Sequence, residues 1–392
     1  MFGLGKHAPD ARCGLIMDVG SASVAVAIVI SEPGEPQPTV VWHHTERCAI
    51  GTDADLLELA KRIAATVVNV SLEVSGLGLK ALSQHDSSMR IDSMQVAVAA
   101  PWSYTVPKSV HYSADEAFTV DEKLIAELTK SAEDTATEQY ANNQIFESLG
   151  LEVIDSSTTH YAANGYAVTD PVGQTLQELT LVRQLTICQK QLLDAVRKAH
   201  ETIIPRARLS IRSFMQHMQS QVLRRVAGST THALVDISGD ATEVGIVVDG
   251  LLQNVINNSW GHYAVARELA VITQQPPEAA LALMRETQTG TVSDLPTNQQ
   301  LQYESVRTAF AQKLTELITR TAKMSELPSH YLIHSDTGMR TFAESILRQA
   351  VQSIGTTEHS ISLVSEKLID VTALEESRLA LSVAVFHTNG AK

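Results

Sequence analysis

Cysteine is scarce in this chain: Cys13, Cys48 and Cys188 are the only three among 392 residues. They are odd in number and far apart, so the sequence contains neither a disulfide framework nor a zinc-binding spacing, and a reducing compartment is favoured. Basic residues are also few, 30 Lys and Arg against 44 Asp and Glu, for a formal net charge of −14. This balance argues against nucleic acid as a partner and against simple electrostatic binding to anionic lipid.

Long hydrophobic runs are missing as well. No apolar run in the sequence reaches the length of a membrane-spanning helix, and residues 1–12 lack the apolar stretch of a signal peptide. We therefore expect a cytoplasmic protein without a membrane anchor of its own, which would reach the inner face of the membrane only through a partner. Hydrophobic residues make up 44% and charged residues 19% of the chain, as in ordinary folded proteins, and the length suffices for two or three domains.

Two segments share a pattern of apolar strand, aspartate, small-residue turn and apolar strand. The first segment is residues 14–29, and its aspartate is Asp18. The second is residues 232–250, and its aspartate is Asp236. Small residues allow backbone N–H groups to line an anion-binding surface, so both turns are candidate phosphate loops. The candidate residues after the aspartates are Gly20, Ser21, Ala22 and Ser23 in the first segment, and Ser238, Gly239, Asp240, Ala241 and Thr242 in the second.

The repeated pattern predicts a duplicated α/β protein of two domains with a cleft between them. Each turn would offer N–H groups to phosphates from one side of the cleft. Asp18 and Asp236 are candidate ligands for Mg²⁺ through water, because that ion keeps most of its hydration shell. Two unrelated hairpins are the simpler alternative, and the matching context of the two aspartates favours duplication.

Hydrophobic periodicity predicts the other elements. Helices are expected over residues 56–70, 120–148, 191–200, 214–222, 264–274, 277–287, 306–324 and 342–350. Strands are expected over residues 39–44, 94–99, 209–211, 251–256 and 331–334. Residues 101–112 read as irregular or as a strand pair interrupted by prolines. Residues 151–187 read as short strands and turns, residues 289–298 as a loop, and residues 379–387 as an apolar helix or strand. Asp249-Gly250 is a strong hairpin turn signal.

The order of these elements resembles the actin/sugar-kinase superfamily, and within it the FtsA-like cell-division proteins. Residues 14–29 resemble the first phosphate loop of that superfamily, and residues 235–250 resemble the second. Residues 164–173, Asn-Gly-Tyr-Ala-Val-Thr-Asp-Pro-Val-Gly, resemble the end of the subdomain inserted in the first domain of FtsA-like proteins. PilM-like pilus proteins share this architecture and are the nearest alternative.

The resemblance implies an α/β, actin-like two-domain fold with a central nucleotide cleft and an FtsA-type inserted α+β subdomain. It assigns residues 1–93 and 188–228 to the first domain and 94–187 to the inserted subdomain. Residues 229–250 and 301–365 would form the second domain, 251–300 a fourth subdomain, and 366–392 a C-terminal helix that returns to the first domain. ATP and Mg²⁺ would bind in the cleft. Beyond the two loops, the implied nucleotide contacts are Gly261, Arg285, Ser335, Asp336 and Gly338.

Several positions depart from the superfamily pattern. The second loop has Ser238 in place of a glycine, and the carboxylate of Asp240 would repel a phosphate in a dry cleft. Ser335 and Asp336 stand where the superfamily has two glycines under the adenine. Altered nucleotide binding and a nucleotide-free pseudo-ATPase scaffold therefore both remain open. No general base can be assigned, since the glutamines at 216 and 219 are more typical of structural residues, and the chain would be at most a weak ATPase.

The implied function is an ATP-binding cell-division scaffold. Such a protein would self-associate into dimers or filaments and would bind the tail of the tubulin-like protein FtsZ, or other division proteins, on residues 250–300. A PilM-like platform for type IV pilus assembly is the first alternative. An ATP-dependent kinase of the sugar-kinase branch is the second, and the absence of an identifiable sugar-site aspartate disfavours it.

Overall fold

The computed structural model describes residues 10–51, 55–141, 150–225, 231–286, 295–322, 327–355, 359–364, 371, 374 and 377–389. Parts of several predicted elements lie outside these residues, namely the end of the helix over 120–148, the last residue of the helix over 277–287, the end of the helix over 306–324 and most of the loop over 289–298.

The first segment with the repeated pattern forms the centre of a five-stranded sheet. Its strands are β1 (Arg12–Val19), β2 (Ser23–Ser31), β3 (Thr39–Arg47), β4 (Ser93–Val98) and β9 (Arg208–Ser213), in the order β3-β2-β1-β4-β9. β1 pairs antiparallel with β2 and parallel with β4. Alternate residues of β1 are buried on opposite faces of the sheet, which is why the strand reads as a continuous apolar run.

Helices cover both faces of this sheet. One face packs against α1 (Leu56–Glu73) and α4 (Lys190–Ile203), and the other packs against α10 (Ser377–Asn389). A π-helical turn (Val74–Gly78) joins α1 to α2 (Leu79–His85). Residues 379–387, which were predicted to form an apolar helix or strand, therefore lie in a helix.

The second segment with the repeated pattern builds a sheet of matching topology. Its strands are β10 (His232–Ile237), β11 (Thr242–Val248), β12 (Leu251–Asn258), β13 (His330–Ser335) and β14 (Ser360–Leu363), in the order β12-β11-β10-β13-β14. As in the first sheet, the central strand has an antiparallel neighbour on one side and a parallel neighbour on the other. The outer pairs also match, antiparallel on one side and parallel on the other. The two sheets therefore support the predicted duplication.

The second sheet is also covered on both faces. One face packs in a single apolar core against α6 (His262–Thr273), α7 (Pro277–Glu286), α8 (Thr297–Thr321) and α9 (Arg340–Gln352). The other face packs against α5 (Phe214–Arg225). The turn between β11 and β12 has positive φ at Asp249 and Gly250, which fits the predicted hairpin.

A third sheet is inserted between β4 and α4. Its strands are β5 (Ser103–Thr119), β6 (Leu151–Ala163), β7 (Tyr166–Val168) and β8 (Thr175–Gln189), in the order β5-β8-β6-β7, and α3 (Glu122–Ala141) packs on it. The strand at residues 93–98 pairs with β1 and β9 in the first sheet, although the sequence predicted that the inserted subdomain begins at residue 94. That the insert is of the FtsA type stays a prediction.

Residues 101–112, predicted as irregular or as a strand pair interrupted by prolines, mostly lie in the long strand β5. Pro107 lies within β5. β5 is at the edge of its sheet and has a partner strand on one side only. Proline is tolerated in edge strands because its missing N–H can be on the side without a partner strand. Residues 151–187, predicted as short strands, form two long antiparallel strands and one short one.

One helical segment of the described residues, Leu56–His85, is long and apolar enough to cross a membrane by length and composition, with a mean hydropathy of 1.2 over an 18-residue window. This finding differs from the expectation that no segment reaches that length. The segment comprises α1, the π-helical turn and α2, and its side chains at Leu59, Ile63 and Val67 are buried against the first sheet.

Candidate functional site

The two candidate phosphate loops are in direct contact. The Oγ atoms of Ser21 and Ser238 lie 2.9 Å apart, and the backbone N–H of Asp240 donates to Ser21 Oγ at 2.9 Å. A Cβ atom on Gly239 would overlap the Cβ of Ala22. The N–H group of Asp240, which was predicted to face a phosphate, is therefore already bonded to the opposite loop.

Other residues of the two turns make hydrogen bonds within their own loops or with neighbouring segments. The N–H of Gly20 donates to the Ser23 carbonyl at 2.9 Å, and Trp102 Nε1 donates to the Gly20 carbonyl at 2.8 Å. In the second loop, the N–H of Ser238 donates to the Ala241 carbonyl at 2.9 Å. Thr242 Oγ1 similarly donates to the carbonyl of Trp260 at 2.7 Å. These bonds make both turns compact.

The N-terminus of α6 packs against the second loop. The N–H of His262 donates to the Ser238 carbonyl at 3.1 Å, and the N–H of Tyr263 donates to the Gly239 carbonyl at 2.8 Å. A Cβ on Gly261 would overlap both of these carbonyl oxygens, so only glycine allows this approach. Free N–H groups at a helix N-terminus are a ready site for an anion, but two of these groups are bonded to the loop.

A buried arginine that the sequence did not single out lies between the two aspartates. Arg378 belongs to α10 and is 5% exposed. Its Nε lies 3.4 Å from Asp18 Oδ1, its Nη1 lies 3.1 Å from Asp236 Oδ2, and its Nη2 lies 3.7 Å from Asp336 Oδ1. Its Cζ lies 4.2 Å from the ring centroid of Phe214. One guanidinium thus contacts carboxylates from three segments of the chain.

The two aspartates respond differently to this environment. Burial acts to raise the pKa of Asp236, but Arg378 and the 2.8 Å contact with His334 Nδ1 bring it below its ordinary value. Burial raises the pKa of Asp18 to about 8, with Arg378 opposing and Asp236 adding to the shift. Asp236 is therefore the ionised partner of the arginine, and Asp18 is protonated at neutral pH.

The carboxylate of Asp240 has its own partner. Arg267 of α6 contacts it at 2.9 Å. Burial raises the pKa of Asp240, and Arg267 opposes that shift. The predicted repulsive carboxylate is thus part of an ion pair that joins the second loop to α6.

The residues predicted to contact the nucleoside also come together. Gly338 has a φ of 85°, and a Cβ there would lie 3.6 Å from Arg285 Cγ. Asp336 Oδ2 lies 3.5 Å from His262 Nε2. Burial lowers the pKa of His262 to about 4, so this histidine is neutral at neutral pH. Ser335 is buried at the end of β13.

Gln216 and Gln219 are structural residues. Gln216 Oε1 accepts from Thr186 Oγ1 at 2.7 Å and from the N–H of Ser213 at 3.1 Å. Gln219 Oε1 accepts from Gln184 Nε2 at 2.9 Å. Both side chains connect α5 to the inserted sheet.

In this arrangement the residues of the cleft do not fit a Mg²⁺-bound nucleotide. The loops touch where phosphates would lie, and Asp236 is paired with a guanidinium. Mg²⁺ needs carboxylate ligands and retains several waters, whereas Arg378 lies between the two aspartates. Among the residues that the structure describes, no group of three or more His, Cys, Asp or Glu side chains is arranged to hold a metal ion. The nucleotide contacts named from the sequence stay a prediction.

No protein-family model matches the chain, and no curated protein matches it. Solved structures do. The chain is similar to a structure of the PilM-PilN type IV pilus biogenesis complex, at 10% identity and a TM-score of 0.61, over 97% of this chain and 98% of that one. It is also similar to the ethanolamine utilization protein EutJ from Carboxydothermus hydrogenoformans, at 12% identity and a TM-score of 0.47, over 97% and 90% of the two chains.

The first of these likenesses covers nearly the whole of both chains. At 10% identity, this likeness shows a shared fold and carries no statement on activity or partners. Together with two sheets of matching topology whose central hairpins meet, it gives the architecture that the sequence predicted. The assignment to the FtsA-like proteins in particular stays a prediction. The chain has the actin-like ATPase fold.

Proposed function

We propose that this chain is an actin-like scaffold that binds partner proteins and does not turn over ATP. The observation that carries the proposal is the closed cleft, in which the bond between Ser21 and Ser238 joins the two loops and Arg378 lies between the aspartates. An ATPase needs room for phosphates and a group that positions water. The candidate glutamines instead bond to neighbouring elements, which supports a binding role.

The partner that we favour belongs to a pilus-type assembly machine. The similar structure is a complex of type IV pilus biogenesis proteins, and the likeness extends over nearly the whole of both chains. By analogy, this chain would bind a partner protein and reach the inner face of the membrane through it. The scaffold would then act by placing its partners.

A division scaffold is the second candidate, and the turn at residues 170–173 favours it. In that turn the Asp170 carboxylate accepts from the N–H of Val172 at 3.0 Å, and Gly173 has a φ of 84°. This is the Asp-Pro-x-Gly segment that resembles FtsA-like proteins. In this candidate the chain self-associates, binds the FtsZ tail on residues 250–300, and binds ATP and Mg²⁺ after the two loops separate.

Two binding assays distinguish these candidates. Fluorescence polarisation would measure binding of a labelled N-terminal peptide of the PilN protein from the same genome, with a scrambled peptide as the control. Co-sedimentation with FtsZ filaments would test the division candidate. We expect saturable binding of the PilN peptide, no co-sedimentation and no phosphate release from ATP. Binding to FtsZ filaments alone would favour division, and sustained phosphate release would contradict the scaffold proposal.

A further inference from the structure

The chain itself supplies a positive charge to the cleft between its two halves. The Arg378 guanidinium contacts Asp18 at the end of β1, in the first sheet, and Asp236 at the end of β10, in the second. These are the two carboxylates predicted to face a hydrated Mg²⁺. The arginine contacts are at 3.4 Å to the first carboxylate and 3.1 Å to the second. A cation from α10 thus bridges the two halves at the predicted metal position.

The bridge is buried and fixed in orientation. The side chains of Arg378, Asp18 and Asp236 are 6%, 2% and 1% exposed. His334 Nδ1 lies 2.8 Å from Asp236 Oδ1, and the Phe214 ring lies against the guanidinium. A buried ion pair is strongly destabilised when one partner is removed, because the other charge is left without compensation. Loss of Arg378 therefore leaves the ionised Asp236 buried without its counter-charge and removes the contact with Asp18 on the other side of the cleft.

The closed loops depend on the same geometry. The aspartates end β1 and β10, and the loops that follow them meet through the hydroxyls of Ser21 and Ser238. Without Arg378, the buried charge of Asp236 would lose its partner, and the contacts from α10 to both strand ends would be gone. The contact between the loops should therefore be sensitive to the charge of residue 378.

The geometry points to a specific role for Arg378: its guanidinium takes the place of the cation of a metal–nucleotide and holds the two halves closed without any nucleotide. The cleft of this protein is then permanently in a closed state. Partner binding would not be regulated by ATP. This inference concerns the state of the cleft and does not depend on which partner the scaffold binds.

A disulfide-trapping experiment measures closure directly. In nucleotide-free protein carrying Ser21→Cys and Ser238→Cys, the two introduced thiols should form a disulfide rapidly under a mild oxidant such as diamide, because the native hydroxyls are 2.9 Å apart. Adding Arg378→Met should slow disulfide formation by about tenfold or more, since the buried charge of Asp236 loses its partner and the contact across the cleft is lost. Peptide mass spectrometry would identify the bond.

Arg12→Met is the matched control for this experiment. Arg12 also contacts α10, with Nη2 at 2.8 Å from the Phe386 carbonyl and its guanidinium over the Phe386 ring, but it lies outside the cleft. The control should leave the rate of disulfide formation within about twofold of the parent, because additive effects are expected at separate sites. An equal rate in the Arg378→Met and parent proteins would overturn the inference.

A second measurement tests the replacement of the metal ion. The melting temperature of the wild type should be unchanged by Mg²⁺ and by Mg²⁺ with ATP. The Arg378→Ala variant lacks the guanidinium and leaves space between Asp18 and Asp236, so added Mg²⁺ should raise its melting temperature. Stabilisation of the wild type by Mg²⁺ and ATP would overturn the inference, because nucleotide and arginine would then bind together.

A charge-balanced variant covers the case in which the single substitutions do not fold. Arg378→Met with Asp236→Asn removes one positive and one negative charge together and leaves the volume of the site similar. It should fold and bind no Mg²⁺, and its rate of disulfide formation should lie between those of the parent and of Arg378→Met. A rate equal to that of the parent would contradict the role of the bridge. Peptide binding is a separate readout, so failure of the proposed function remains distinguishable.

Discussion

Arg378 Nη1 lies 3.1 Å from Asp236 Oδ2, although 142 positions separate the two residues in the chain. A second bond, from Nη2 to Oδ1 at 3.2 Å, makes the contact bidentate. Such paired bonds fix the direction of the guanidinium as well as its position. The pair joins the start of α10 to the end of β10, and the state of the cleft follows from it.

The energetic coupling of this pair is the first prediction. Asp236→Asn and Arg378→Met should each lower the free energy of unfolding by about 3–5 kcal/mol, because each removes the bidentate partner of a buried charge. The double variant should be less destabilised than the sum of the two, with a coupling energy of about 2 kcal/mol. Urea unfolding followed by circular dichroism provides the four values. Strict additivity would contradict a direct interaction.

Gly261 provides the second prediction. A Cβ at this position would overlap the carbonyl oxygens of Ser238 and Gly239, which are backbone atoms that cannot move cheaply. Gly261→Ala should therefore lower the melting temperature by several degrees and loosen the second loop. Gly76→Ala is the matched control, because nothing lies within 4 Å of a Cβ there. Thermal unfolding of the two variants should differ clearly, and equal melting temperatures would show that the loop does not pack as described.

A buried carboxyl group in the second sheet leads to the third prediction, on pH. Burial, together with the charge of Asp236, raises the pKa of Glu243 to about 8 from an ordinary value of 4.5. Between these values the folded state holds a proton that the unfolded state has lost, so stability falls as the pH rises. The loss should reach about 3 kcal/mol between about pH 5 and about pH 8.

Glu243→Gln tests this pH dependence, because the amide cannot ionise. The variant should gain stability over the wild type at alkaline pH and show a smaller difference under acidic conditions. The exposed Glu116→Gln serves as the control and should follow the wild type throughout. Parallel pH profiles for the Glu243→Gln and wild-type proteins would show that this carboxyl group does not carry the effect.

The fourth prediction concerns the attachment of the inserted sheet. Gln216 Oε1 accepts two hydrogen bonds, from Thr186 and Ser213. Gln216→Ala leaves both donors without this acceptor and should cost about 1–3 kcal/mol. Hydrogen exchange should accelerate in β8 and β9, while ATP turnover should be no different from that of the wild type. The exposed Gln302→Ala in α8 should change neither. Phosphate release by the wild type that is abolished in Gln216→Ala, and kept in Gln302→Ala, would instead assign Gln216 a catalytic role.

Local chemistry explains why much of the fold could be predicted from the sequence. Hairpin turns depend on a few adjacent residues, and the Asp249-Gly250 turn occurs where it was predicted, with positive φ at both residues. The two central hairpins were recognised for the same reason, since an apolar strand, an aspartate and a small-residue turn are continuous in the chain. The assignment of residues 94–98 to the inserted subdomain was wrong. These residues lie in β4, which belongs to the first sheet, and its partners β1 and β9 are too distant in sequence for a local pattern to indicate the pairing.

The candidate site shows the limit of the sequence more sharply. Asp18 and Asp236 were identified because each follows a strand within a repeated pattern. Arg378 belongs to no such pattern, and only packing of α10 across the first sheet brings it between them. A Cβ on Gly14 would lie 2.6 Å from the Phe386 ring, which shows how closely this helix approaches β1.

The sequence by itself therefore determined the two hairpins, their duplication and the place of the cleft, because these depend on periodicity and turn chemistry between near neighbours. Only the tertiary structure decided what lies in the cleft. The contacts of Ser21 with Ser238 and of Arg378 with Asp236 join residues separated by 217 and 142 positions. Charge compensation between such distant residues leaves no local pattern, because it requires only that opposite charges meet once the chain has folded.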